Sequence, residues 1–209
     1  MIFITGTDTN IGKTFISLML CRLLKFDYFK PIQTGVKTDI SDSSYVHQFG
    51  VKTHQESYVF NEPISPNVAA EIESKEILIQ DIKLPKKEKL IVEGAGGLFV
   101  PINKNQKIID IVAHFNIPVI VVSEDRLGTI NHTLLTLEAL KNKGVKTLGF
   151  IMNRYKKSNI QNNIKTIEQH SGIDCIGKID DGLDMNLIDF NTPPKSMSDL
   201  RDNILAILK

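Results

Sequence analysis

Short apolar runs alternate along the chain with segments whose apolar residues recur at helical spacing, a pattern that predicts parallel strands joined by crossover helices. Ile2 to Thr5 reads as the first strand. Thr14 to Lys25 carries Phe15, Ile16, Leu18, Met19, Leu20, Cys21, Leu23 and Leu24, apolar on most sides, and predicts a helix buried against the sheet. Asp27 to Lys30 predicts a second strand, because Pro31 pushes the residue before it into extended backbone. Leu90 to Val92 and the β-branched run Pro118 to Val122 predict central strands buried on both faces. Between them Ile108, Ile111, Val112 and Phe115 recur at helical spacing, with Ile109 beside them, and mark a helix lying on the sheet.

Further along, Asn131 to Asn142 predicts a helix and Thr147 to Met152 a strand. Ile160, Ile164 and Ile167 predict another amphipathic helix, and Ile173 to Ile176 one more strand. Residues 34–85 and 180–199 hold neither period. Asp39-Ile40-Ser41-Asp42-Ser43-Ser44, Pro63-Ile64-Ser65-Pro66 and Pro193-Pro194 punctuate them, so they predict loops, with Leu200, Ile204 and Leu208 marking a last short helix. The expected architecture is one α/β domain over residues 1–209, a doubly wound, mostly parallel sheet with helices on both faces.

Composition changes this picture little but excludes several functions. Lysine and arginine number 25 against 24 acids, and a net charge of +1 provides no broad footprint for nucleic acid or an anionic membrane. The chain enters Ile2-Phe3-Ile4-Thr5-Gly6 directly, without a basic and then apolar leader, and no stretch reaches the ~20 apolar residues of a membrane span, so a cytoplasmic protein is expected. Cys21 and Cys175 stand in apolar settings and predict small core side chains rather than a disulfide or a zinc site. The histidines at 47, 54, 114, 132 and 170 lack zinc-hydrolase spacing and read as surface or loop residues. The serine-hydrolase elbow is absent.

Gly6-Thr7-Asp8-Thr9-Asn10-Ile11-Gly12-Lys13-Thr14 lies between the first strand and the first helix, where backbone N–H groups and the helix dipole hold phosphates. The first glycine comes one place earlier than in the common P-loop pattern, and position 7 is threonine. Gly12 allows close backbone approach, Lys13 suits β- and γ-phosphates, and the Thr14 hydroxyl suits Mg²⁺. A plain glycine turn with a surface lysine is the alternative. Glu93 ends an apolar strand, at the edge where open α/β sheets bind ligands, and is a candidate metal ligand or a solvated strand end. The glycine cluster after it suits an anion or a turn. Lys30 should project over the strand ends, although lysines are common there, and Asp42 competes with Asp39 as a functional or turn carboxylate.

Taken together, five segments in order resemble dethiobiotin synthetase: the loop from Gly6 to Thr14, Lys30-Pro31-Ile32-Gln33-Thr34-Gly35, Pro63-Ile64-Ser65-Pro66, Val92-Glu93-Gly94-Ala95-Gly96-Gly97, and Leu127-Gly128-Thr129-Ile130-Asn131-His132. The resemblance implies an ATP-dependent ring closure that joins CO₂ to 7,8-diaminononanoate. It implies that Lys30 and Lys13 flank the carbamate and the transferring phosphoryl group. Thr9 and Thr34 would hold the diamine or carbamate, Thr34 replacing a serine of some relatives. Asn10, Ile11, Gly12, Phe15, Gly94, Ala95 and Gly96 would line the nucleotide, and Thr14, Asp42 and Glu93 would hold Mg²⁺. It further implies a homodimer in which Gly128, Thr129 and Asn131 meet the substrate carboxylate from the neighbouring subunit. Thr129 and Asn131 are equally suited to cap the helix that starts there. Asn153 matches a base-contacting residue, with Arg154 on the same edge, and ATP is the family default. Where relatives carry an Ile-Pro segment this chain has Asp180-Asp181-Gly182, so the base contacts there are not carried over. The competing reading is a switch ATPase of the partition or iron-protein type, whose signature lysine would fall at position 8, which is Asp8 here.

Overall fold

The computed structural model of the protein describes residues 1–156 and 161–208. The elements run β1 (Ile2–Gly6), α1 (Lys13–Leu24), β2 (Asp27–Phe29), β3 (Ile32–Gln33), α2 (Asp42–Gln48), β4 (Thr53–His54), β5 (Tyr58–Val59), α3 (Pro66–Ile72), β6 (Leu90–Gly97), α4 (Ile108–Phe115), β7 (Val119–Glu124), α5 (Thr129–Asn142), β8 (Thr147–Tyr155), α6 (Gln161–Ser171), β9 (Cys175–Asp180) and α7 (Lys195–Ile207). A seven-stranded sheet has the order β4-β2-β6-β1-β7-β8-β9, and β3 and β5 form a separate pair. Every pairing in the large sheet is parallel. This is the doubly wound architecture expected, and the winding direction reverses at β1, which lies between β6 and β7.

Strand alternation decides which helices cover which face, because successive side chains point to opposite sides of a sheet. Phe3, Phe29, Leu90, Val92, Val119, Val121, Phe150 and Met152 point one way and pack with residues of α3, α4, α5 and α6. Ile2, Ile4, Tyr28, Ile91, Ile120, Val122 and Ile151 point the other way and pack with α1, α2 and α7. Helix α1 begins at Lys13 because Gly12 occupies the left-handed region at φ 90°, and it stops at Leu24 because Lys25 turns left-handed and returns its N–H to the Cys21 carbonyl.

Where structure and sequence pattern differ, helices too short to display a period account for most of it. Residues 34–85 include α2 and α3, each seven residues long: α2 buries Val46, and α3 buries Pro66, Ala69 and Ala70. The polar run that reads as loop is the start of α2, with Ser41 accepting the Ser44 N–H and Asp42 in the first turn. Pro66 likewise opens α3, where its missing N–H costs nothing. Helix α7 starts at Lys195, straight after Pro194, and is longer than its three apolar markers imply. Strand β6 continues through the glycines to Gly97, β8 runs on to Tyr155, and β9 occupies Cys175–Asp180, two residues later than expected. Helix α6 carries Ile164 and Ile167 inward as expected, and Ile160 lies outside the described residues. Both cysteines are free, Cys21 buried and Cys175 half-buried. No described helix is long and apolar enough to cross a membrane.

Phe3 is fully buried on the central strand. Phe3→Ala should lower unfolding stability by about 3–5 kcal/mol, read as a drop in urea midpoint at unchanged slope.

Candidate active site

The parallel sheet brings several of the segments singled out by their chemistry to one edge. The loop of residues 7–12 leaves the carboxyl end of β1, Lys30 follows β2, Glu93 lies in β6, Gly128 follows β7, Asn153 sits near the end of β8 and Asp180 ends β9. In the register, Ile4 of β1 is level with Glu93 and Phe29 of β2 is level with Val92, so Lys30 and Glu93 arrive side by side.

Their side chains meet in a buried ionic cluster. Lys30 Nζ lies 2.5 Å from Asp42 Oδ2 and 3.0 Å from Glu93 Oε1. Thr14 Oγ1, in the first turn of α1, donates to the same Glu93 Oε1 at 2.9 Å, and the Tyr28 hydroxyl donates to Oε2 at 3.0 Å. Asp42 reaches the cluster because its backbone N–H donates to Gln33 Oε1 at 3.0 Å, while Gln33 Nε2 donates to the Thr34 carbonyl at 2.7 Å. Asp39 is exposed and takes a weak bond from Thr38 at 3.3 Å, so of the two aspartates Asp42 is the one that joins.

Two lysines share this cleft and titrate in opposite directions. Burial alone would strip the proton from Lys30, but Glu93 and Asp42 outweigh it and hold its pKa above the ordinary lysine value. Lys13 is also buried, and burial wins there: Glu93 opposes the shift, Lys30 reinforces it, and the pKa falls to about 8. Its ammonium folds back over the loop and donates to the Asp8 carbonyl at 2.8 Å. Burial and the Glu93 charge push the Tyr28 phenol well above its usual range, which keeps it a hydrogen-bond donor.

Close packing shapes the loop. A Cβ on Gly12 would lie 2.2 Å from Asn153 Nδ2, whose amide donates to the Ile11 carbonyl at 2.8 Å. Asn10 also adopts a positive φ, 59°. Gly6 pairs with Gly97 of β6, and a Cβ on Gly96 would come within 3.7 Å of Thr9 Oγ1, so the glycine strand runs directly beneath the loop. Arg126 pairs with Asp8 at 2.8 Å and with Glu124 at 3.3 Å, and Glu124 pairs with Arg154 at 2.6 Å, tying the loop to the ends of β7 and β8.

The loop borders two hollows. One, of about 520 Å³, is lined by Thr7, Asp8, Thr9, Phe99, His132 and Leu135 among others. The second, of about 210 Å³, is lined by Gly12, Phe15, Asn153, Arg154, Asp180, Asp181, Gly182 and Leu183. Gly128 caps α5 in the left-handed region with no side-chain cap bond, so neither Thr129 nor Asn131 caps the helix. Thr129 Oγ1 is buried without a hydrogen-bond partner. Asn131 is exposed and lines a separate hollow with Leu134 and Glu138, away from the ionic cluster of its own chain.

Three residues at this edge had no assigned role: Tyr28 and Gln33, which support the cluster, and His132, which lines the larger hollow. Tyr28 lies two residues before Lys30, and strand periodicity alone puts both on one face. Among the described residues no three His, Cys, Asp or Glu side chains form a metal cage. Two carboxylates and a hydroxyl are nonetheless hard oxygen donors of the kind Mg²⁺ accepts when phosphates complete its shell.

A family profile described as an AAA domain matches residues 1–186. The chain is 51% identical over 152 residues to the ATP-dependent dethiobiotin synthetase BioD of Lawsonia intracellularis, covering 72% of this chain and 74% of that protein. It is 40% identical over 203 residues to the enzyme of the same name from Methanococcus vannielii, covering 88% and 95%, and 38% identical over 212 residues to that of Neorickettsia sennetsu, covering 84% of each. Among solved structures, a plasmid partition protein from Borrelia burgdorferi superposes with a TM-score of 0.60 at 12% identity, covering 98% of this chain and 97% of that one. MinD complexed with Mg-ADP from Pyrococcus horikoshii superposes at 0.56 and 15% identity, covering 98% and 96%. At such identities the structural likeness concerns the P-loop fold alone.

Gly12→Ala combines a left-handed backbone with overlap against Asn153, and should cost about 2–4 kcal/mol. The double variant Gly12→Ala/Asn153→Ala should cost less than the sum of the two single variants in urea unfolding, because the overlap is relieved and the backbone strain is not.

Proposed function

The chain belongs to the dethiobiotin synthetase family, and from that premise we propose that it uses MgATP to close a cyclic urea from CO₂ and 7,8-diaminononanoate, giving dethiobiotin, ADP and phosphate. The observation that carries the reading is the meeting of Lys13, Thr14, Lys30, Asp42 and Glu93 at the carboxyl edge of the sheet. A carbamate and a γ-phosphate are both anions, and they approach each other only where positioned cations offset their repulsion.

In this mechanism one substrate amine, neutral when it reacts, adds CO₂ to form a carbamate and loses a proton. Lys30 holds the carbamate and Thr9 and Thr34 orient it. The carbamate oxygen attacks the γ-phosphorus and ADP departs, while Lys13 follows the charge on the transferring phosphoryl group. The second amine attacks the carbon of the resulting anhydride, the ring closes and phosphate leaves. Positioning and charge stabilisation account for the catalysis, and no covalent enzyme intermediate is required. Thr14, Asp42 and Glu93 would hold Mg²⁺, which when bound offsets charge on the β- and γ-phosphates. Backbone N–H groups of Asn10, Ile11 and Gly12, with Phe15 and the strand Gly94-Ala95-Gly96, line the phosphates, and Asn153 and Arg154 face the base.

With Asp42 and Glu93, Lys30 forms a group of net charge −1; were those two carboxylates to take a divalent cation, the ammonium would be left to an anionic substrate. The separation of Asn131 from the cluster of its own chain supports a homodimer in which Gly128, Thr129 and Asn131 serve the partner's site. The switch reading has less support: position 8 is an aspartate paired with Arg126, and the resemblance to partition proteins extends to the fold and not to the sequence.

Phosphate release from MgATP should require both diamine and bicarbonate, with mass spectrometry detecting the ureido product; turnover indifferent to the diamine would favour a switch ATPase. Lys30→Ala should keep its fold by circular dichroism and lose ring closure by at least about a hundredfold. Mixing Lys30→Ala with Asn131→Ala subunits should restore up to about a quarter of wild-type turnover, because each mixed dimer regains one intact site.

Lys13 sets a pH signature. Its folded pKa, about 8, lies below the ordinary 10.5, so the penalty for burying the charge is fully present below pH 8 and is relieved as pH rises toward 10.5. An anion beside Lys13 reverses this by favouring the charged form. ATP binding at pH 8–9 should therefore take up protons, measured as a dependence of calorimetric heat on buffer ionisation enthalpy, and Lys13→Met should abolish that uptake.

A further inference from the structure

The two oxygens of Glu93 face different surroundings. Oε1 accepts from Thr14 Oγ1 at 2.9 Å and from Lys30 Nζ at 3.0 Å, on the side of the cleft. Oε2 points into the sheet and accepts from the Tyr28 hydroxyl at 3.0 Å. Tyr28 is fully buried in the apolar layer between the sheet and α1, and Glu93 is buried beside it. Packing would be served as well by phenylalanine, since a buried phenol must find a partner for its hydroxyl. Here that partner is the carboxylate at the centre of the charged cleft.

A carboxylate has a broad, roughly two-fold torsion at its last bond, so without a tether either oxygen can turn toward the cleft. The phenol removes that freedom. It supplies the one hydrogen bond that a buried Oε2 needs, which leaves Oε1 alone to face Thr14, Lys30 and whatever cation joins them. We propose that Tyr28 is a positioning residue that locks Glu93 with a single oxygen presented to the metal and to Lys30. The proposal rests on the reading of Glu93 as a metal ligand. Groups that orient a metal's ligands typically change its affinity 10–100-fold when removed.

The test compares Mn²⁺ binding to the full-length protein, followed by electron paramagnetic resonance, in wild type, Tyr28→Phe and Glu93→Gln. Tyr28→Phe should weaken Mn²⁺ binding by about tenfold and raise the Mg²⁺ concentration for half-maximal turnover by a similar factor. Its KM for the diamine should not move. A merely structural tyrosine would lower unfolding stability and leave the metal dependence unchanged. Unaltered Mn²⁺ affinity in Tyr28→Phe, with affinity lost in Glu93→Gln, overturns the role of Tyr28 and leaves Glu93 as a ligand. Unaltered affinity in both overturns the metal reading as well. Should Tyr28→Phe fail to fold, the wild-type protein answers the question: the buried Tyr28 hydroxyl proton, followed by NMR, should shift as Mg²⁺ saturates the Thr14 amide response. A hydroxyl resonance unmoved by that titration refutes the proposal.

Discussion

Lys30 bound between Asp42 and Glu93 is the interaction on which the rest of the site depends. Removing Lys30 and Glu93 from water, with Asp42 half-buried beside them, is costly, and a pair left incomplete in such surroundings costs more than it returns. The fold meets that cost with hydrogen bonds from every side: Thr14 on one oxygen of Glu93, Tyr28 on the other, and the Gln33 amide on the backbone of Asp42. A hydrophobic triad of the same volume would serve stability at least as well. The charges are therefore better explained by what they do to an arriving ligand than by what they do for folding.

The two lysines divide that work. Lys30 has two carboxylates for neighbours and keeps its proton over the whole useful pH range. Lys13, at the start of α1, has the Asp8 backbone carbonyl as its hydrogen-bond partner, and burial brings its pKa down to about 8. One cation is thus permanent and internally balanced, and the other becomes fully favourable only when an anion arrives beside it. Phosphate at Lys13 would complete a charge the loop alone holds at a penalty. In the proposed reaction, that difference couples nucleotide binding to the electrostatics of the neighbouring carbamate site.

Much of this was legible along the chain. Glycine, lysine and threonine at a strand-to-helix junction point to a phosphate loop, because close backbone N–H groups, an ammonium and a hydroxyl suit phosphates and their metal there. Glu93 stands out because a carboxylate after Leu90, Ile91 and Val92 contradicts the strand that leads into it. Asp42 was harder. Nothing local separates it from Asp39, and its arrival depends on Ser41 capping a seven-residue helix and on Gln33 catching its N–H. Such a helix is too short for periodicity to show. Tyr28 was hidden for the opposite reason: in a strand, tyrosine reads as one more apolar residue, and its hydroxyl matters only once Glu93 is known to lie across from it.

The sheet itself does not decide between a ligase and a switch. Partition and MinD proteins share this fold across nearly the whole chain at 12–15% identity. What differs is what the strand ends present. The competing switch reading expects a lysine at position 8. Here Asp8 has the wrong sign, and its carboxylate is tied down by Arg126 and, through Glu124, to the end of β8. In the proposed reaction the second cation of the site is Lys30, beside Glu93. Such a site would balance the charge around a phosphoryl group from within. It has room for a second anionic reactant instead, and chemistry that joins two anions is what this arrangement of charges supports.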